Sequence, residues 1–411
     1  RPRCRIVNHG RTDHRWGATK LNSKHRIAHA MKHQPVDRVP VMCQLSIGHY
    51  LLSTAISPSE LWYTSEGFAT ALIELQRRYR FDGILINLPG SSPEWRADVE
   101  RIERDEKGDE TIYWKNGDQA WCPHDDNVHH IRSKNLDRPD IEDVDPDKCY
   151  YNDPHCVGGL KYPFYYGLHP CTPDLGDYFP DYLFRTIDRV VLEVGDTVSV
   201  HGEIFSPFTQ LMELFSYEEG LINLITHPDK CKAILAGYTR GCITYARRQI
   251  EHGVDAILMS SAFAGGGFIS PHQYEEFVVP WEFEVNSQIK ETGIPVYTHT
   301  CGEIGDRLEA MTLTGLDGID TLDPPPLGTV NLVEAKKRVG ERVFFKGNID
   351  PVNTLLSKSR EDVRQDALWR LQVGSVGSGF ILSSACSVSP RTPPENLGAL
   401  AEASEEFGPA K

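Results

Sequence analysis

Gly293-Ile294-Pro295-Val296-Tyr297-Thr298-His299-Thr300-Cys301-Gly302 is the stretch on which the fold turns. Glycine and proline punctuate its start and a glycine closes it. The run 296–301 between them reads as a strand buried on both faces, as in a parallel sheet. A helix leads into it. Ser270-Pro271-His272-Gln273 supplies an N-cap, a proline at the first helical position and a glutamine three residues after the cap. That helix is expected to stop by Gly293.

The same alternation extends in both directions. Further strands are expected at 39–45, 83–87, 197–203, 255–261, 318–323, 343–350 and 380–386. Helices are expected at 59–80, at 217–253 with a break near His227-Pro228, at 331–339 and at 359–373. Eight strands alternating with helices point to an α/β fold, a single (β/α)8 TIM barrel. An open doubly wound sheet is the alternative, but Gly265-Gly266-Gly267 does not fit its glycine fingerprint and reads as a loop at the barrel mouth.

Residues from about 90 to 190 interrupt the pattern. Lys107-Gly108-Asp109 and Asn116-Gly117-Asp118 punctuate 99–122 as a hairpin would, and Pro, Tyr and Asp dominate 139–180. We expect an inserted β-hairpin and a long loop between strands two and three. The domain reading is therefore an N-terminal basic arm at 1–20 and one barrel over 21–411. The arm is drawn from ten Lys/Arg among the first 38 residues, against only Asp13 and Asp37.

Composition narrows the function. With 40% hydrophobic and 25% charged residues the chain is globular rather than disordered. A net charge of −15 argues against a general nucleic-acid binder. No apolar run is long enough to span a bilayer, and no secretory-signal order is present, so a cytoplasmic protein without a membrane partner is expected. Ten cysteines without a CxxC pair then read as reduced thiols, most of them buried.

The chemistry gathers at strand ends. His299 and Cys301 are two residues apart on the fifth strand and share a face. Cys386 ends the eighth strand, on the same C-terminal barrel face where active sites of this fold are built. One His and two Cys make a three-ligand zinc site with a position left open, as a catalytic zinc needs.

At these residues the chain resembles the zinc methyltransferases of the uroporphyrinogen decarboxylase superfamily. Tyr297-Thr298-His299-Thr300-Cys301-Gly302 is similar to their HxCG segment. Residues 384–397, from Ser384-Ala385-Cys386 to Glu395-Asn396-Leu397, resemble their C-terminal Cys block. Phe345-Lys346-Gly347-Asn348-Ile349-Asp350-Pro351 resembles the superfamily's Gly-Asn-x-Asp-Pro strand, and Gln34-Pro35-Val36-Asp37-Arg38-Val39-Pro40-Val41 its entry to strand one. The decarboxylases follow strand one with an arginine-bearing segment, where this chain has Met42-Cys43-Gln44-Leu45-Ser46-Ile47-Gly48-His49. Their catalytic Asp after strand two is replaced by Asn87. A porphyrinogen with many acidic arms needs those cations, so tetrapyrrole decarboxylation is not expected.

The resemblance implies Zn2+ at His299, Cys301 and Cys386 and a cobalamin carried by a partner corrinoid protein. The expected reaction moves a methyl group from a small methyl donor, a methoxylated aromatic, to cob(I)alamin (an O-demethylase). Glu203, ending strand three, is read as catalytic and as a fourth metal ligand, with a ligand-orienting role as the alternative. Asn87, His201, Phe205, Phe263, Asp323 and Asp350 are read as substrate-binding, with His201 equally readable as a satisfied barrel histidine and the aspartates as loop caps. Phe208, Phe268 and Trp281 join the apolar mouth. Asp153-Pro154-His155-Cys156-Val157-Gly158 matches the DxHxxG pattern of corrinoid-binding domains but lacks a βαβ context, so it reads as chance. Two alternatives stand: a methylcobalamin:thiol methyltransferase, and a non-catalytic barrel subunit with a structural zinc. A homodimer is compatible with either.

Overall fold

The computed structural model describes residues 20–131, 133, 138–151 and 179–409. Residues 1–19 of the N-terminal arm, the whole 152–178 stretch and the DxHxxG match within it therefore lie outside the described residues.

Seven parallel strands form one curled sheet. In chain order its strands are β1 (Gly83–Ile86), β6 (Ser199–Phe205), β7 (Ala256–Ser260), β8 (Val296–His299), β9 (Gly318–Thr321), β10 (Phe344–Ile349) and β11 (Phe380–Ser384), each paired with the next. Helices return the chain between successive strands from β6 onward, so the architecture is TIM-barrel-like. The expected first strand at 39–45 is not a regular strand. It makes single parallel bridges, Val41 to Leu382 and Leu45 to Val388. Its other side meets the start of β1, where Asp82 N–H donates to the Val41 carbonyl at 2.7 Å. Pro40 explains the shortfall, because proline has no N–H to give a ladder.

That seam is held by charge. Asp82 is fully buried and receives Arg26 at 2.7 Å and Arg38 at 2.7 Å, while its Oδ2 also accepts the Val41 N–H at 2.8 Å. Helix Ser23–Met31, segment 38–41 and β1 are thereby tied at one point.

Alternation along the strands builds two layers. Outward residues such as Ile84, Val200, Ile257, Met259, Ile319 and Phe345 pack into the main core against the helices. Inward residues Met42, Leu85, Leu258, Tyr297, Phe344 and Ile381 form a second apolar cluster, plugged from below by Ile27 and Ala30. Two residues further along each strand the same inward face turns polar: Gln44, Asn87, Ser260, His299, Lys346 and Ser383. The chemistry stands on an apolar floor.

The insertion is larger than a hairpin. β2 (Val99–Arg104), β3 (Glu110–Trp114), β4 (Gln119–Cys122) and β5 (His129–Ile131) form a four-stranded antiparallel sheet. Gly108 and Gly117, at φ of 95° and 89°, make the two reversals that are visible in sequence. The third reversal, between β4 and β5, carries no glycine turn and could not be read. This sheet has its own core of Trp95, Ile112, Ala120, Cys122 and Val128, with Trp62 and Tyr63 packed against it.

Helix expectations hold with small changes. The helix expected at 59–80 is two, Pro58–Tyr63 and Ser65–Tyr79, because Thr64 leaves the helix to cap the second through Gly67 N–H. The break at His227 separates Tyr217–Thr226 from Pro228–Glu251. Ser270 and Gln273 form the expected capping box, ahead of Pro271–Phe277.

Candidate metal centre

β8 ends at His299, so Cys301 lies two residues past the strand rather than on it. Gly302 at φ 76° turns the chain there, a conformation that favours glycine. Cys386 likewise lies two residues past β11. The ends of β8 and β11 nevertheless bring three donors together. Cys301 Sγ is 3.3 Å from His299 Nε2, Cys386 Sγ is 3.8 Å from the same nitrogen, and the two sulfurs are 3.8 Å apart.

The spacing excludes a disulfide, whose sulfurs would be about 2.05 Å apart. It fits a zinc ion. With Zn–S of about 2.3 Å and Zn–N of about 2.0–2.1 Å, a tetrahedron has S···S edges of ~3.8 Å and S···N edges of ~3.6 Å. The observed triangle is one face of such a tetrahedron, and the three residues are compatible with zinc. Among the described residues, only these three His, Cys or acidic side chains cluster tightly enough to hold an ion.

Two residues behind this face were not foreseen. Asp320 on β9 accepts from His299 Nδ1 at 3.0 Å, and Lys346 on β10 donates to the other Asp320 oxygen at 3.0 Å. All three side chains are buried. Strand periodicity could have found both, since Gly318-Ile319-Asp320 and Phe344-Phe345-Lys346 each place a charge on the inward face. Past Asp320 the backbone bends sharply, with Thr321 and Leu322 at φ of 78° and 56°. Such conformations cost about 1–3 kcal/mol each. The bend aims Asp323 back at the site, where its Oδ2 accepts the Gly302 N–H at 2.6 Å.

The clustered groups perturb one another strongly. Burial disfavours a charged His299, yet Cys301, Asp320 and Cys386 together outweigh it and hold the imidazole well above its ordinary range. The sulfurs divide. The hydrogen bond from Cys301 and the nearby His299 draw Cys386 well down against its burial, while Cys301, as the donor, is pushed well up. Burial pushes Asp320 up, but Lys346 and His299 more than offset it, leaving it lowered. Burial raises Asp323 to about 6.

The other expected site residues are placed as follows. Glu203 is buried on β6 and is not among the clustered donors. It lines a small crevice with Asn87, Phe205 and Tyr245. His201 is fully buried in the barrel interior, its Nδ1 2.8 Å from Tyr297 Oη and its Nε2 3.0 Å from Ser199 Oγ. Burial depresses it to about 3, so it is neutral. Asp350 caps the turn that follows it, accepting from Val352 and Asn353 N–H at 2.8 and 2.7 Å. Phe263 and Phe268 pack edge to face at 5.3 Å, and Phe268 is exposed. Gln44 Oε1, Asn87 Oδ1, Asp323 Oδ1 and Ser383 Oγ are buried atoms with no hydrogen-bond partner among the described residues. Buried polar atoms are normally paired, so orphans at strand ends mark where a ligand's polar groups would sit.

A profile of the Uroporphyrinogen decarboxylase (URO-D) family matches residues 171–407. The uroporphyrinogen decarboxylase of Legionella pneumophila (strain Lens) is 31% identical over 246 residues, covering 56% of this chain and 64% of that protein. That of Coxiella burnetii (strain Dugway 5J108-111) is 28% identical over 238 residues, covering 55% and 63%. The chain thus spans just under two thirds of the length of these relatives. A solved methyltransferase from Methanosarcina mazei superposes with a TM-score of 0.67 at 20% identity, covering 94% of this chain and 99% of that one. That likeness concerns the fold. The profile spans more than half the chain, from before β6 through the last helix, and includes both strand ends that carry the metal-site donors. On that match the chain belongs to the uroporphyrinogen decarboxylase family.

Proposed function

We propose that this protein is a zinc-dependent methyltransferase that moves a methyl group from a methoxylated aromatic to cob(I)alamin on a partner corrinoid protein. The observation that carries the reading is the His299–Cys301–Cys386 triangle, with three donors on one face and, among the described residues, no fourth protein donor in the cluster. We read the ring as an eight-membered (β/α)8 barrel with segment 40–45 in the eighth place and the four-stranded sheet as its insertion, so the triangle opens at the C-terminal mouth. The decarboxylase relatives do not decide the chemistry. Met42-Cys43-Gln44-Leu45 offers no cation for an acidic porphyrinogen, and Asn87 stands where a carboxylate would be needed.

Zinc bound at the triangle would act as a Lewis acid on the ether oxygen. The side chains do the rest. Asp320 holds Nδ1 of His299 and leaves Nε2 for the ion. Gln44, Asn87 and Ser383 offer unsatisfied buried atoms to polar groups of the ligand, and Phe263 and Phe268 offer an apolar wall to its ring. Methyl transfer would break the C–O bond with its electrons left on oxygen, and the phenolate would take a proton from water; cob(I)alamin on the partner would supply the electron pair that accepts the methyl group.

The test combines zinc-loaded protein, cob(I)alamin and an aryl methyl ether. The spectral change from cob(I)alamin to methylcobalamin is expected, and its loss in His299→Ala and Cys386→Ala. Undiminished methylation by either variant would refute the site. A thiolate-rich centre also suits a thiol acceptor. Thiol-dependent demethylation of methylcobalamin, with no turnover of ethers, would transfer the assignment to that second reading.

A further inference from the structure

Lys346 is a buried ammonium in the barrel interior, directly above the apolar floor residue Phe344. It pairs with Asp320 Oδ1 at 3.0 Å, and the second Asp320 oxygen is 3.0 Å from His299 Nδ1. Three neighbouring strands thus contribute one link each: Lys346 from β10, Asp320 from β9 and His299 from β8.

We propose that Lys346 is a positioning residue of the metal centre, acting on His299 through Asp320. The inference rests on the zinc reading above. A carboxylate on a strand end can rotate about its side-chain bonds. The ammonium pins one oxygen, which aims the other at Nδ1 and holds the imidazole plane so that Nε2 faces Cys301 and Cys386. A hydrogen bond at Nδ1 also selects the tautomer whose free nitrogen is Nε2. The bend at Thr321 and Leu322 keeps Asp320 from relaxing away along its own strand. Lys346 therefore matters to the ion without touching it. A lysine serving only to neutralise a buried carboxylate would support the fold and leave ion binding unchanged.

The experiment is a double-mutant cycle on zinc affinity, measured by chelator competition on Lys346→Met, Asp320→Asn and the double variant, with far-UV circular dichroism and a cobalt(II) absorption spectrum on each. Each single variant is expected to bind zinc about 10–100-fold more weakly. The double variant should be no weaker than Asp320→Asn, because Lys346 works through that residue. The cobalt(II) bands should broaden or shift in all three. Wild-type zinc affinity in folded Lys346→Met or in Asp320→Asn overturns the inference, as do additive losses in the double variant. If Lys346→Met does not fold, Asp320→Asn and the double variant, which buries no unpaired charge, still decide it. If wild-type protein takes up no zinc, the metal reading fails first and the inference with it. Zinc bound equally by wild type and variants sinks the inference alone.

Discussion

Cys301 and Cys386 stand 85 residues apart in the chain and hold their sulfurs 3.8 Å apart without a bond between them. With His299 Nε2 at 3.3 and 3.8 Å, the pair describes the face of a tetrahedron sized for zinc. Removing one corner should empty it. Wild type is expected to carry about one zinc per chain and Cys301→Ser and Cys386→Ser to carry none, read by metal analysis after gel filtration.

Zinc uptake should release protons and weaken in acid. His299 and Cys301 are pushed above their ordinary ranges, whereas Cys386 is drawn below its own. Zinc takes a neutral imidazole and thiolates, so an ion must displace the protons held there. Calorimetry in buffers of different ionisation enthalpy should count them, and affinity should fall as pH falls. A pH-independent affinity between 6 and 8 would contradict this charge assignment.

Glu203 lines a crevice with Asn87 and Phe205 rather than joining the clustered donors. Glu203→Gln is thus expected to keep its zinc while methyl transfer falls by about 10²-fold. Zinc lost from this variant would instead make Glu203 the fourth ligand.

Glu282 is fully buried, with Oε1 accepting from Ser261 at 2.6 Å and Oε2 lacking a hydrogen-bond partner. Burial raises it to about 7 from an ordinary 4.5, against the opposing Ser261 bond. The folded state then holds a proton that the unfolded state loses between those values. Its contribution to stability is full below pH ~4.5 and declines as pH rises to about 7, by on the order of 3 kcal/mol. Glu282→Gln should remove this decline, visible as a higher melting temperature at pH 8 and little change at pH 5.

Asp82 accepts from two arginines and a backbone N–H at the seam between helix Ser23–Met31, segment 38–41 and β1. Asp82→Ala would leave Arg26 with Asp37 alone, at 2.7 Å, and the Val41 N–H without its acceptor, a loss of about 1–3 kcal/mol. Urea unfolding should show it as a lowered midpoint. A midpoint within experimental error of wild type would mean the seam is held by packing alone.

Much of this was legible in the chain itself. Short apolar runs bounded by glycine and proline marked seven of the parallel strands, and Ser270 with Gln273 announced a helix start, because these signals act within a few residues. His299, Cys301 and Cys386 were legible as a set because the strand ends of this fold share one face. The segment at 39–45 was read as a full strand because its apolar run ignores what Pro40 withholds from a ladder. The four-stranded insertion was half visible, since two of its reversals use glycine and the third does not.

What the residues by themselves determined is local: periodicity, breakers, caps and the kinds of donor at strand ends. Tertiary structure decided what depends on neighbours distant in sequence. It set the 3.8 Å between two sulfurs just past β8 and β11, kept Glu203 out of the donor cluster, and set Lys346 behind Asp320 behind His299. The reason is physical. A strand's own sequence says which side chains face inward, but the register and curl of the sheet say which inward side chains meet.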